Sequence, residues 1–184
     1  MKKIVVTVSG PPGSGKSTHA KRIAEKLNLR YFSIGRYFRD IATKMDLSLE
    51  EFQRIAEKDP KYDLEADSRT LMEAEKGGVV IDGHLTGWIA KEKADIKIYL
   101  TASLEERARR VAKRDGKPFE QAINDIRRRE ESNALRYKTF YGIDLNDLSI
   151  YDIVINTEKW GEEEVSQTLI YLIQKYMEKR NTFN

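Results

Sequence analysis

Gly10-Pro11-Pro12-Gly13-Ser14-Gly15-Lys16-Ser17-Thr18 decides the fold of this chain. The stretch satisfies the phosphate-loop pattern G-x-x-x-x-G-K-[ST] at every fixed position. Its flanks supply the context the pattern needs. Ile4-Val5-Val6-Thr7-Val8 is a β-branched run that reads as a buried strand. Ala20, Ile23, Ala24 and Leu27 fall at i, i+3, i+4 and i+7 and predict a helix after the loop. Glycines at 10, 13 and 15 let the main chain approach an anion closely. The N–H groups of the loop and of the helix start would then converge on phosphate oxygens. Lys16 is placed to reach the β- and γ-phosphates of a nucleoside triphosphate, and the Ser17 hydroxyl to ligate Mg²⁺. A plain Gly/Pro turn has no reason to carry Lys and Ser at these two places.

Outward from the loop, short apolar runs alternate with helical patterns. Tyr31-Phe32-Ser33, Val79-Val80-Ile81, Ile96-Lys97-Ile98-Tyr99-Leu100 and Asp152-Ile153-Val154-Ile155-Asn156 read as four further strands. Between them lie a helix after Gly35, one opened by a Ser48/Glu51 capping box, one over about 64–76, and one opened by a second box at Ser103/Glu106. A charged helix or helix pair follows over 119–139, and a last helix over about 162–180. The expectation is a three-layer α/β domain spanning 1–184, with a five-stranded, mainly parallel sheet covered by helices on both faces. Ligands of such sheets sit beyond the carboxyl ends of the strands. The phosphate loop, residues 33–35, residues 82–84 and the segment after Asn156 can therefore meet.

Composition narrows the function classes. The chain has 184 residues, 40% hydrophobic and 34% charged, which suits one soluble domain with a core. It has no cysteine, which excludes disulfide, zinc-thiolate and cysteine-nucleophile chemistry. No apolar stretch approaches about 18 residues, so no membrane span and no signal peptide are expected, and a cytoplasmic monomer is. The net charge of +3 is too small to argue for nucleic acid. Residues 103–138 nevertheless carry eleven Lys/Arg against seven Asp/Glu, most of the cations being arginines, which suit phosphate.

Three signals outside the loop suggest a second anion. In Ser33-x-Gly35-x-x-Phe38-Arg39, Arg39 sits one turn into a helix and can point back to the strand ends. Asp82, in Asp82-Gly83-His84-Leu85-Thr86-Gly87, could hold Mg²⁺ through water or accept from a substrate, although Asp-Gly is also ordinary turn chemistry. His84 reads more readily as non-catalytic, because an imidazole is an unreliable cation at pH 7. Arg110 and Arg114 share a helix face, and Arg127, Arg128, Arg129 and Arg136 follow on the charged segment. Any one of them could be solvated surface; together they suit the charge that spreads over a migrating phosphoryl group.

These segments together resemble nucleoside monophosphate kinases, most closely cytidylate kinases of the archaeal type, over essentially the whole chain. The resemblance is carried by residues 10–18, Ser33 to Arg39, Asp82 to Trp88, Ala94 to Ala102, Tyr141 to Asp144 and Tyr151 to Thr157. It implies transfer of the γ-phosphoryl group of ATP to CMP, and to dCMP, with Mg²⁺. It further implies a core (1–35, 77–115, 143–184), a monophosphate-binding insertion (36–76) and a lid (116–142). Gly10 to Thr18, Arg110 and Arg114 would serve ATP. Ser33, Gly35, Arg39 and Asp82 would serve the monophosphate. Arg129 and Arg136 would close on both phosphates, with Lys16, as the catalytic set, and Glu158-Lys159-Trp160 would flank adenine. The sequence departs from the family at His84, where the usual segment reads Asp-Gly-Arg. A kinase for AMP, UMP or a small metabolite, and a nucleotide-dependent switch, are the rival readings; spacing alone does not select cytosine.

Overall fold

The computed structural model describes residues 3–182. Its five strands are β1 (Val5–Ser9), β2 (Arg30–Ser33), β3 (Val79–Asp82), β4 (Ile96–Thr101) and β5 (Ile153–Asn156), in the order β2-β3-β1-β4-β5. All four pairings are parallel. A parallel neighbour needs a crossover, and the helices supply it. They are α1 (Lys16–Lys26), α2 (Ile34–Lys44), α3 (Leu49–Ala56), α4 (Lys61–Lys76), α5 (Thr86–Ile89), α6 (Leu104–Asp115), α7 (Phe119–Tyr141) and α8 (Glu162–Thr182).

The period-2 alternation of the strands decides which side chains meet which layer. Val6 and Val8 on β1 and Ile98 and Leu100 on β4 pack with Ala20, Ile23 and Ala24 of α1 and with Val165, Leu169 and Ile173 of α8. On the opposite face Val5, Val79 and Ile81 pack with Ala74 of α4 and Ala90 just after α5. Both faces are covered, which is why β1 and β3 are buried along their whole length. A separate small core, Ala108, Val111, Ala122 and Ile126, joins α6 to α7.

The expected strands and the long helices are where the pattern placed them, with four differences. Ser33 rather than Gly35 starts α2: its hydroxyl accepts the Arg36 N–H at 3.3 Å, so the helix begins at Ile34. The capping box at Ser48/Glu51 is complete, whereas that at Ser103/Glu106 is only half formed. Glu106 is drawn away by Arg109 and Arg110, and Glu158 reaches across to take the Ser103 N–H at 3.0 Å instead. Residues 119–141 are one continuous helix, not a pair. The short helix α5 was not expected, since four residues are too few to show a period.

Candidate active site

The phosphate loop joins β1 to α1 in a conformation that only glycine accepts at its first position. Gly10 has φ +142, and a Cβ there would lie 2.1 Å from the Leu100 carbonyl oxygen. The loop is thus pressed against the end of β4. Gly15 takes a left-handed conformation as the N-cap of α1, with no side-chain cap, so the first N–H groups of α1 are left for a ligand. Lys16 gives one proton to the Pro11 carbonyl at 2.8 Å, which folds its ammonium over the loop. Burial lowers its pKa to about 8; Asp82 opposes this, while Arg129, Arg107 and Arg114 reinforce it.

Asp82 ends β3, next to both β1 and β2. It is 2% exposed and accepts from Tyr31 at 2.8 Å and from Ser33 at 2.6 Å. Residues 31 and 33 are two apart on β2 and so share a face. The Ser33 hydroxyl therefore both caps α2 and fixes Asp82. Burial, and secondarily the Asp82 carboxylate, push the Tyr31 hydroxyl up to about 12, with the nearby Ser17 and Ser33 hydroxyls opposing. Ser17, Tyr31, Ser33 and Asp82 offer only oxygen, the donor chemistry of a hard divalent cation. Among the described residues no three His, Cys, Asp or Glu gather into a metal cage. A cation held here would rely on substrate phosphates and water for its remaining ligands, which is how Mg²⁺ is commonly bound.

Arg39 is exposed and folds its guanidinium back over Gly35, whose added Cβ would lie 3.5 Å from Nη1 and 3.9 Å from the Ser33 hydroxyl. Its reach is therefore toward the Ser33–Asp82 pair. Arg129, near the middle of α7, has a buried Nε with no hydrogen-bond partner. Burial lowers its pKa, and Arg114 and Arg39 lower it further by repulsion. Cations from α1, α2, α6 and α7 thus face one another.

The structure separates the remaining arginines by role. Arg110 gives Nη1 and Nη2 to the Thr157 hydroxyl and carbonyl at 2.8 and 3.0 Å, and Thr157 donates to the Ser14 carbonyl at 3.1 Å. It ties the segment after β5 to the phosphate loop. Arg114 holds Asp115 through Nε and Nη2 at 2.6 and 2.8 Å but still faces Lys16 electrostatically. Arg136 differs most from expectation. It is 2% exposed and gives Nη1 to both oxygens of Asp63, at 2.5 and 2.6 Å, so in this structure it binds a carboxylate of α4 rather than standing open to phosphate. Two further contacts, Tyr141 to Asp67 and Arg128 to Glu50, also join α7 to the α3–α4 segment.

Arg107 was singled out by no motif, yet it is the guanidinium most deeply built into the loop. It gives hydrogen bonds to the Pro12 and Ala102 carbonyls, both at 3.1 Å, and to Glu130 at 2.7 Å. It links α6, the loop and α7 at once. Its only signal in the sequence is that it lies among many arginines. Asp63 carried no signal either, nor did Asn133, whose Oδ1 accepts from Arg136. Trp160 is 64% exposed beside the segment that Arg110 anchors.

The parallel sheet, the phosphate loop and a ring of cations at the strand ends define a P-loop kinase. A family profile described as "Cytidylate kinase-like family" matches residues 5–159. The chain belongs to that family. A cytidylate kinase of Staphylothermus marinus is 48% identical over 176 residues, covering 96% of this chain and 99% of the relative. Those of Ignicoccus hospitalis and Pyrococcus horikoshii are 49% and 50% identical, covering 90% and 89% of this chain and 96% and 84% of theirs. Among solved structures, a shikimate kinase from Bacteroides thetaiotaomicron has a TM-score of 0.61 at 18% identity, covering 93% of this chain and 98% of its own. An uncharacterized protein from Eubacterium ventriosum has a TM-score of 0.69 at 19% identity, covering 94% and 99%. At such identities the likeness is one of fold. No helix among the described residues is long and apolar enough to cross a membrane.

Proposed function

We infer that this protein transfers the γ-phosphoryl group of ATP to CMP. The observation that carries the reading is the convergence of Lys16, Arg39, Arg114 and Arg129 from four different helices, each against the repulsion of at least one other. A fold leaves like charges facing one another where a polyanion will separate and neutralise them. One phosphate chain on the loop accounts for Lys16 and Arg114. Arg39, whose guanidinium folds over Gly35 toward Ser33, calls for a second anion. The relatives' shared name, cytidylate kinase, supports CMP as that acceptor.

The roles follow from position. Gly10 to Thr18 hold the ATP phosphates with main-chain N–H groups, and Lys16 has two protons left for them. Arg110 sets the Thr157 segment against the loop on the adenine side. Ser33, Gly35, Arg39 and Asp82 form the acceptor side. Ser17, with Asp82 through water, would hold Mg²⁺, which when bound neutralises and orients the phosphate oxygens. The acceptor phosphate is already anionic, so the protein needs no strong base, and its contribution is alignment and charge neutralisation. Residues 36–76 act as the acceptor-binding insertion and 116–142 as a lid that excludes water. Arg129 is the lid cation poised for the transferring group; Arg136 joins it only by leaving Asp63.

The decisive measurement is ADP release with ATP and Mg²⁺ across the nucleoside monophosphates, with dCMP alongside CMP. CMP should give the highest kcat/KM, and Lys16→Ala should reduce turnover by two or more orders of magnitude in a folded protein. Equal turnover of AMP or UMP would overturn the choice of acceptor. ATP binding with no acceptor-dependent ADP would favour a switch.

A further inference from the structure

A chain of four side chains ends on His84. Arg136 donates to Asp63 on one side and, through Nη2, to Asn133 Oδ1 at 2.6 Å on the other. A guanidinium can only donate, so the Asn133 carbonyl oxygen must face it, and the amide NH₂ must face the other way. That NH₂ meets His84 Nδ1 at 2.6 Å. An amide nitrogen cannot accept, so Nδ1 is the bare acceptor nitrogen of the ring and the ring proton resides on Nε2. The ring plane is held as well, edge-on to Tyr137 with centroids 5.7 Å apart. Among the described residues Nε2 has no hydrogen-bond partner. Lys16 from α1, Arg107 from α6 and Arg129 and Arg136 from α7 are the cations that act on the ring. A proton on Nδ1 would set two donors against each other across that contact.

We propose that Asn133 is a positioning residue that locks His84 as a neutral Nε2–H imidazole, and that this N–H is a donor to the acceptor phosphate. The proposal rests on the acceptor-site reading above. His84 lies two residues beyond Asp82, on the turn that leaves β3, and Lys16, Arg129 and Arg107, cations of the phosphate-loop region, act on it electrostatically. A neutral donor adds direction without adding charge to a site already crowded with cations. The lock spans three elements: Asp63 on α4 holds Arg136, Arg136 and Asn133 lie on α7, and His84 follows β3. The donor is therefore set in place only while α4 and α7 are engaged, which couples acceptor capture to closure of the two arms.

The tautomer is read directly by long-range ¹H–¹⁵N spectra of the full-length, histidine-labelled protein, which has only two histidines, at positions 19 and 84. At pH 6–8 the His84 ring should show a protonated Nε2 and a bare Nδ1. Asn133→Ala should let the Nδ1–H form appear. In steady-state assays His84→Phe, which keeps the ring and loses the N–H, should raise the CMP KM roughly tenfold to a hundredfold and leave the ATP KM within twofold. His84→Gln, which offers a neutral N–H at nearly the same place, should recover most of that loss. An Nδ1–H or charged ring in the parent overturns the lock. With CMP turnover intact in the parent, an unchanged CMP KM in His84→Phe overturns the donor role alone. Should His84→Phe not fold, the parent spectrum and Asn133→Ala still decide the lock, and the parent's Nε2 resonance, which should shift when CMP is added and stay put if His84 is no donor, decides the donor role. A parent that phosphorylates no monophosphate overturns the acceptor-site reading and the donor role with it, while the tautomer remains a separate result.

Discussion

Asp63→Asn removes one charge from an ion pair that water does not reach. The side chains of Arg136 and Asp63 are 2% and 6% exposed, and one guanidinium nitrogen serves both carboxylate oxygens. Burial pushes the Asp63 carboxyl above the ordinary carboxylate range despite the attraction of Arg136. Desolvation therefore outweighs the Coulombic gain, which is common for buried pairs. Two consequences follow. Breaking the pair from one side strands a buried guanidinium and should cost about 3–5 kcal/mol. For a chain of this size that lowers Tm by roughly 6–20 °C, at about 2–4 °C per kcal/mol. Replacing both partners, Asp63→Leu with Arg136→Met, should return most of the loss, because no charge is left to solvate. Urea denaturation of the three proteins at pH 7, compared at constant m-value, measures both steps. The double variant should also raise the CMP KM, since Asn133 loses the donor that orients it. A loss below about 1 kcal/mol in Asp63→Asn, or a double variant less stable than the single one, would refute the reasoning.

Other outcomes follow from the same geometry. Burial raises the Asp67 pKa to about 6 against the opposing hydrogen bond from Tyr141. Its contribution to stability is therefore present below its ordinary pKa of 3.8 and is lost as pH rises through about 6. The denaturation midpoint should fall more between pH 4.5 and 7 in the parent than in Asp67→Asn; equal slopes would show that this carboxyl is not the source. Gly10→Ala forces a Cβ to 2.1 Å from the Leu100 carbonyl at φ +142 and should cost about 3 kcal/mol or more, measured as a thermal melt. A variant that melts with the parent contradicts the close approach of loop and β4. Arg39→Ala should raise the CMP KM about tenfold or more with a smaller change in kcat, and an unchanged KM would remove Arg39 from the acceptor site.

How legible each feature was depended on the range of the interaction behind it. Ser33 could be read as a strand-end residue near the substrate, but its hydrogen bond to Asp82 needed β2 and β3 in register. The Ser103/Glu106 box was half right because a local signal met a distant competitor, Glu158. The arginines were the hardest to sort. Their sequence context is nearly uniform, yet Arg107 is bound to the phosphate loop, Arg136 is buried on Asp63, and Arg129 has a buried nitrogen without a partner.

By itself the sequence determined the phosphate loop, the five strands, the long helices and the family. Those depend on local φ requirements, on periods of 2 and 3.6, and on spacing, which a linear string records. Only the tertiary structure decided which cations are free and which are spent, and that His84 carries its proton on Nε2. Those outcomes depend on pairings such as Asp63–Arg136 and His84–Asn133, between residues 73 and 49 positions apart, where each donor takes whichever acceptor the packed helices bring within reach.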